Sequence, residues 1–494
     1  MPGKVIVIGS GFAGLTAACD LAYAGFEVTL LEKNAQAGGR ARQFEADGFV
    51  FDMGPSWYWM PNVFESFFNR YGKSASDYYD LVQLDPAFQI IYPDGKTLSI
   101  PAALEEIHHV FEKIETGASK KLTAFLDESK RKYEVAMQEF IFLPSHHLME
   151  FAKFSILREA FSMDLLKPFD KYVSKFFSDA RLRTLMEFPV LFLGAKPNQI
   201  PAMYSMMNYS ALAEGTWYPL GGMHKIIEGF VQLANELGVK LIIEAEVESV
   251  EVAAQEIKSV MAKGVKYQAD YFLAACDYHH FETLLPKQKR NYKESYWDKR
   301  TMSPSSLLFY VGVDKKIPGL QHHNLFFDSD FSLHSHEIYD EPAWPSDPQF
   351  YVCCPSKTDT TVAPSGKENL FFLIPIAPGL EDTEEVRDRY FEQLISRTEA
   401  YTGVSFKDQI IYKKSYCIND FKKDYHAYKG NAYGLANTLR QTAVLKPKMR
   451  NRQLKNLWYT GQLTVPGPGM PPAIISGLIA GNEIKKQIPS LITA

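Results

Sequence analysis

Residues 4–42, KVIVIGSGFAGLTAACDLAYAGFEVTLLEKNAQAGGRAR, decide how this chain folds. Val5-Ile6-Val7-Ile8 is a short apolar run of the kind buried in a parallel sheet. Gly9, Gly11 and Gly14 follow with GxGxxG spacing. The first permits a tight turn, the second lets a pyrophosphate approach the backbone, and the third lets a helix pack closely on the strand. That helix, from Phe12 to about Ala24, presents free amides and the positive end of its dipole to phosphate. Gly25 stops it, Val28-Thr29-Leu30-Leu31 makes the next strand, and Glu32 closes that strand. A carboxylate at this place accepts hydrogen bonds from ribose hydroxyls and repels a 2′-phosphate.

Two further turns extend the cradle. Gly38-Gly39-Arg40-Ala41 allows a second close approach, with Arg40 as a charge-assisted donor. Asp52-Met53-Gly54-Pro55 offers backbone against which a flat ring can lie. The GxGxxG signal by itself does not separate FAD from NAD, and the Gly38-Gly39-Arg40-Ala41 turn helps to do so. The opposite terminus, residues 456–481 (NLWYTGQLTVPGPGMPPAIISGLIAG), looks like the other half of that site. Trp458-Tyr459-Thr460 predicts a strand ending at Gly461, and Pro466-Gly467-Pro468-Gly469 excludes regular structure. Ala473-Ile474-Ile475-Ser476-Gly477 predicts the start of a helix whose small side chains let a planar group rest on its backbone.

Everything between has to be fitted around these ends. The 494 residues exceed what one core supports, so two or three domains are expected. A net charge of -5 argues against nucleic acid as the main partner. The 34 Phe and 27 Tyr suit a large apolar ligand, and core packing accounts for many of them equally. Five scattered cysteines form no CxxC pair or Cys/His cluster, which speaks against a disulfide framework or zinc site and for a reducing cytosol. The twelve histidines include four adjacent pairs, read as surface or packing residues with no metal site. A strand beginning near Lys4 leaves no room for a signal peptide, and no window of 18 apolar residues predicts a transmembrane helix.

Residues 62–135 carry helical spacing with one hairpin around Asp94-Gly95. From 136 to 190, Phe140, Phe142, Leu143, Leu148, Phe151, Phe154, Ile156, Leu157, Phe161, Leu165 and Leu166 alternate with Lys153, Arg158, Lys167, Lys171 and Lys175. That pattern fits either a helix on an anionic membrane or helices of a substrate domain. A new αβ unit starts at Gly221-Gly222: helix Met223–Leu237, strand Val239–Ile243, then Val247–Val252 and Ala269–Ala275 ending in Cys276-Asp277. Leu307–Val313, Phe350–Cys354, Leu370–Ile374 and Ile410–Tyr416 are strand candidates for a mixed or antiparallel sheet carrying a ligand pocket.

On Gly9/Gly11/Gly14, Glu32, Gly38–Ala41, Asp52–Pro55 and the Gly461–Gly469 loop, the chain resembles the bacterial-type phytoene desaturase family of carotenoid biosynthesis. That family lies within the FAD-dependent amine-oxidase-like superfamily, and the resemblance spans nearly the whole length. It implies an α/β fold: a Rossmann-like FAD-binding domain (1–60, 221–285 and 429–494), an interleaved mixed-sheet substrate domain (286–428), and a helical, membrane-facing region (61–220). The implied FAD-binding residues are Gly9, Gly11, Phe12, Ala13, Gly14, Glu32, Lys33, Gly39, Arg40, Gly54, Pro55, Ser56, Val247, Gly461, Gly469, Met470 and Ile474.

The implied activity is stepwise dehydrogenation of phytoene towards lycopene, with the protein cytoplasmic and peripheral on the inner face of the cell membrane, and quinone or oxygen as final electron acceptor. A C40 hydrocarbon has no polar handle, so the cofactor accepts hydride while the protein positions and desolvates. Glu150 is the candidate proton acceptor by position, with His146 and His147 beside it as alternatives. Trp57, Tyr58, Trp59 and Met60, extended by Met203, Tyr204, Met206, Met207 and Tyr209, are channel-lining candidates. In one departure from the family, Gln462-Leu463-Thr464-Val465 stands where small residues and a histidine are common, which makes that wall more apolar. A later-step carotenoid 3,4-desaturase, a carotenoid isomerase, an amine oxidase and a non-catalytic flavin protein are the competing readings.

Overall fold

The computed structural model describes residues 2–147, 150, 164, 167–438 and 440–488. Much of the apolar and basic stretch singled out above, including Leu148, Phe151, Lys153, Phe154, Ile156, Leu157, Arg158, Phe161, Leu165 and Leu166, lies outside the described residues.

Strands β1 (Lys4–Ile8), β2 (Glu27–Leu31), β3 (Lys240–Ile242), β4 (Tyr271–Ala274) and β5 (Leu457–Tyr459) pair in parallel, in the order β5-β4-β1-β2-β3. Ile8 stands opposite both Leu31 and Ala274, and Ala274 opposite Tyr459. The loops after Ile8, Leu31, Ala274 and Tyr459 therefore leave the sheet along one carboxyl edge, where open α/β sheets bind ligands. First and last strands of the chain are separated by β4 alone.

Helices α1 (Phe12–Tyr23), α2 (His224–Glu236) and α3 (Met470–Lys485) pack about this sheet. Ten consecutive residues of α1, Phe12 to Leu21, are buried. α3 crosses it through Gly477 and Gly481. A Cβ added at Gly477 would stand 2.4 Å from the Ala13 carbonyl oxygen, and one at Gly481 2.4 Å from Asp20 Oδ2. The helix begins at Met470, three residues before the expected start at Ala473. Pro471 and Pro472 are accommodated because a first helical turn needs no amide donors.

The αβ unit after Gly222 departs from expectation in one respect. Val247–Ala253 leaves the parallel sheet and pairs antiparallel with Glu256–Ala262, which pairs with Val265–Tyr267. Val247–Ala253 is solvated on one side, as antiparallel sheets tolerate and parallel ones do not.

The larger sheet has seven strands in the order Ile410–Tyr416, Ser305–Val313, Glu368–Ile376, Phe350–Cys353, His323–Phe326, Phe88–Ile91 and Thr97–Ile100. It is mixed: His323–Phe326 runs parallel to Phe88–Ile91, and the other pairings are antiparallel. The hairpin at Asp94-Gly95 is present and supplies two of these strands. Ser305–Val313 is buried throughout, so both of its faces are covered. Leu307, Phe309, Val311 and Val313 pack with Tyr390, Phe391 and Leu394 of the helix Glu384–Thr402, while Leu308 and Tyr310 join the core on the opposite face. Among the described residues no helix is long and apolar enough to cross a membrane.

Candidate active site

The two glycine turns close on each other. A Cβ on Gly14 would stand 1.9 Å from the Gly9 carbonyl oxygen, so only glycine lets α1 start directly beneath the turn. Gly11 is the reverse case. A Cβ there would meet no atom within 4 Å and would project into the space before the helix N-terminus. The Gly38 amide donates to the Ser10 carbonyl at 2.9 Å, which ties the second turn to the first. Glu32, 4% exposed, braces both: Oε2 accepts from Ser10 N (2.9 Å) and Oγ (2.6 Å), Oε1 from Asn34 N (2.9 Å) and Nδ2 (3.0 Å).

Arg40 reaches across to the last third of the chain. Its Nη2 donates to the Asn431 carbonyl at 3.2 Å, its guanidinium lies 4.9 Å from the Tyr425 ring centre, and Gln462 Oε1, turned towards it, accepts at 3.0 and 3.2 Å. Arg40 Nε is buried with no partner among the described residues. An unfilled space at Gly11, an uncapped helix N-terminus and an unpaired guanidinium nitrogen fit a pyrophosphate-bearing cofactor.

The closing loop is held by hydroxyls. Ser476 Oγ on α3 lies 2.9 Å from Thr460 Oγ1 and 3.0 Å from Thr464 Oγ1, and accepts from the Gly461 amide at 3.0 Å. Thr464 Oγ1 donates to the Gly461 carbonyl at 2.8 Å. Leu463 and Val465 are buried at 3% and 4% and line the cavity, which makes this wall apolar as expected.

One cavity of about 900 Å³ joins all these parts. It runs from the glycine turns to an apolar region lined by Trp57, Trp59, Met203, Tyr204, Phe327 and Phe371. Of the cofactor residues named from sequence, Gly9, Gly11, Phe12, Ala13, Glu32, Lys33, Gly39, Arg40, Gly54, Pro55, Ser56, Val247, Gly461, Gly469 and Met470 line it. Gly14 and Ile474 do not: Gly14 sits behind the turn, and Ile474 is fully buried in the core around α1. Met60, Met206 and Met207 line the apolar part, whereas Tyr58 and Tyr209 are not among its lining residues. Tyr58 stacks on Phe64 with ring centres 4.4 Å apart, and Tyr209 packs against Tyr133.

Glu150 is not among the lining residues either. Its Oε1 accepts from the His146 and His147 amides at 2.8 and 3.0 Å, and Oε2 is buried without a partner among the described residues. His146 Nε2 lies 2.9 Å from Glu483 Oε2 on α3, and neither His146 nor His147 lines the cavity.

Sequence reasoning missed several residues at the nucleotide end. Glu246, His280 and His426 line the cavity beside Lys33. His426 Nε2 is 2.6 Å from Glu246 Oε1 and 3.0 Å from Lys33 Nζ, and its ring stacks on His280 with centres 3.7 Å apart. Burial, then the neighbouring His426, push the His280 imidazole down to about 4. Asp277 is the N-cap of the helix Tyr278–Thr283 and also lines the cavity; burial raises its carboxyl, against the opposing pull of the His280 amide and Arg40. Its signal was its place, just past a parallel strand at the carboxyl edge.

Residues 12–485 match the family described as flavin containing amine oxidoreductases, and the chain belongs to that family. It is an FAD-dependent oxidoreductase. Over 475 residues it is 42% identical to the carotenoid 3,4-desaturase of Haloarcula japonica, with 96% of each chain covered. Over 501 residues it is 30% identical to the 4,4′-diapophytoene desaturase (4,4′-diaponeurosporene-forming) of Staphylococcus aureus, covering 98% of this chain and 99% of that one. Among solved structures, an oxidoreductase from Methanosarcina mazei superposes with a TM-score of 0.62 at 15% identity, covering 96% of this chain and 99% of that one. Putrescine oxidase bound to putrescine gives 0.59 at 15%, with 98% of each covered; both likenesses show the fold.

Proposed function

We propose that the protein is a carotenoid desaturase acting at the 3,4 position, extending a conjugated chain by one double bond. The observation that carries this reading is the 42% identity, over 96% of both chains, to a carotenoid 3,4-desaturase. The cavity supports it, since its deeper part is walled by aromatic and methionine side chains that suit a polyene. When bound, FAD supplies the hydride acceptor. The glycine turns and Arg40 would hold its pyrophosphate, Glu32 its ribose and Gly461–Met470 its ring, while the apolar wall would exclude water. Glu150, whose Oε2 is unpaired among the described residues, is proposed as the proton acceptor; it stands outside the residues that line the cavity, so the proton would reach it through an intervening group.

A second reading, stepwise dehydrogenation of phytoene towards lycopene, is favoured by the 30% identity to diapophytoene desaturases. Either substrate is confined to lipid, which suits a peripheral site on the cytoplasmic face of the cell membrane, and quinone or oxygen would serve as final electron acceptor. Exposed Phe142 and Leu445 adjoin cavity-lining Ile141, Leu143 and Val444 and supply apolar contacts for such docking. Purified FAD-loaded protein is to be given phytoene or lycopene in liposomes, and the products separated by chromatography. Conversion of lycopene-like substrates with none of phytoene supports 3,4-desaturation. Formation of lycopene from phytoene establishes the second reading, and turnover of neither removes both.

A further inference from the structure

Behind the wall at Trp57 lies a cluster that the desaturation does not use. His323 opens the strand His323–Phe326 directly opposite Cys353 on Phe350–Cys353, and His322 precedes it. One ring nitrogen from each imidazole and Cys353 Sγ all lie within 4.8 Å of one another. The three residues are 3%, 0% and 2% exposed, and Cys353 is a free thiol. Both Nε2 atoms are buried with no hydrogen-bond partner among the described residues, an unfavourable state for a buried polar atom.

The two Nδ1 atoms are tied down. His322 Nδ1 is 2.8 Å from Thr358 Oγ1, and His323 Nδ1 is 2.6 Å from Tyr351 Oη. Trp57 stacks on His323 with ring centres 3.9 Å apart. Metal-binding imidazoles are held in this manner, with one nitrogen anchored by a neighbour and the other free for the ion.

We propose that His322, His323 and Cys353 bind one copper(I) ion in a trigonal site of two nitrogens and one sulfur. Thiolate sulfur selects a soft ion, and its single negative charge cancels that of a monovalent one. Zinc would leave a net positive charge in the interior and lack a fourth protein ligand. Three atoms no more than 4.8 Å apart share a central point within about 2.8 Å of each, so contraction by under an ångström gives bonds of about 2.0 Å to nitrogen and 2.3 Å to sulfur. Binding forms two Cu–N bonds and one Cu–S bond and breaks the S–H bond. The proton passes to solvent, and copper keeps its oxidation state. The Glu246–His280–His426 group is different, because the Lys33 ammonium already stands within it. The copper site adjoins the cavity through Tyr351, whose hydroxyl donates to Ser56 Oγ at 3.0 Å.

The test uses the full FAD-loaded protein, given copper(I) anaerobically in competition with bicinchoninate, and zinc in a parallel sample. The wild type is expected to retain one equivalent of copper, with X-ray absorption showing one sulfur and two nitrogen ligands. Cys353→Ser is expected to bind at least about tenfold more weakly. Cys354→Ser, whose thiol lies against Ser356 Oγ instead, is expected to bind as the wild type does. No copper in the wild type, a preference for zinc, or equal retention by Cys353→Ser overturns the proposal. The wild-type ligand count decides the matter even where a variant does not fold.

Discussion

His280 sits where burial and a stacked imidazole both oppose its protonation. Its ordinary value of 6.5 is lowered to about 4 in the folded protein. Between pH 6.5 and 4 the unfolded chain therefore takes up a proton that the folded chain refuses. The corresponding stability is complete above pH 6.5 and shrinks as pH falls towards 4. Urea midpoints across this range should fall with acidification in the wild type and less steeply in His280→Gln. FAD retention should follow, since His280 lines the nucleotide end of the cavity. If Glu150 is the proton acceptor, Glu150→Gln should lower kcat by roughly 10²–10⁴-fold while leaving FAD content unchanged. Rapid-mixing measurement of flavin bleaching by substrate checks this, and an unchanged rate removes Glu150 from the mechanism.

Helix α3 meets α1 through glycine, and its two close approaches differ in kind. The Gly477 contact is with backbone, so Gly477→Ala must move a whole helix and should cost about 1–3 kcal/mol in urea unfolding. Gly481→Ala meets only the tip of the Asp20 side chain and should cost less. How well each element could be read from sequence follows the same physics. β1, α1, β2 and Glu32 were legible because turn, helix and acid are local in sequence and each step demands a particular residue type. So were four strands of the seven-stranded sheet after residue 300, whereas His323–Phe326, only four residues long and opened by a histidine and an asparagine, was not. Tyr58 was misplaced in the channel. Trp57, Tyr58 and Trp59 are extended backbone, whose side chains alternate faces, so the middle one belongs to the opposite core. His280 with His426, and Arg40 with Gln462, are pairings far apart in sequence, and no local pattern announces them. Asp277 was visible as the end of a strand, but its burial against Arg40 was not.

At the scale of the molecule, the cavity gathers residues from both ends of the sequence and from its middle. Ligand linkage then predicts that stripping FAD lowers Tm, and that free FAD at 100 times its Kd restores about 2.7 kcal/mol; differential scanning fluorimetry checks both. Docking on lipid belongs to this scale as well. Flotation with anionic liposomes should carry the wild type, and Phe142→Asp combined with Leu445→Asp should leave more protein at the bottom of the gradient. The parallel sheet ends at β5, formed by residues 457–459, and α3 follows it. On the ribosome, therefore, the glycine turn at residues 9–14 is made long before residues 457–485, and its pocket gains a far wall only once these follow. Flavin capture waits for those residues, and a polypeptide stopped before them should stay colourless however well its opening segment has folded.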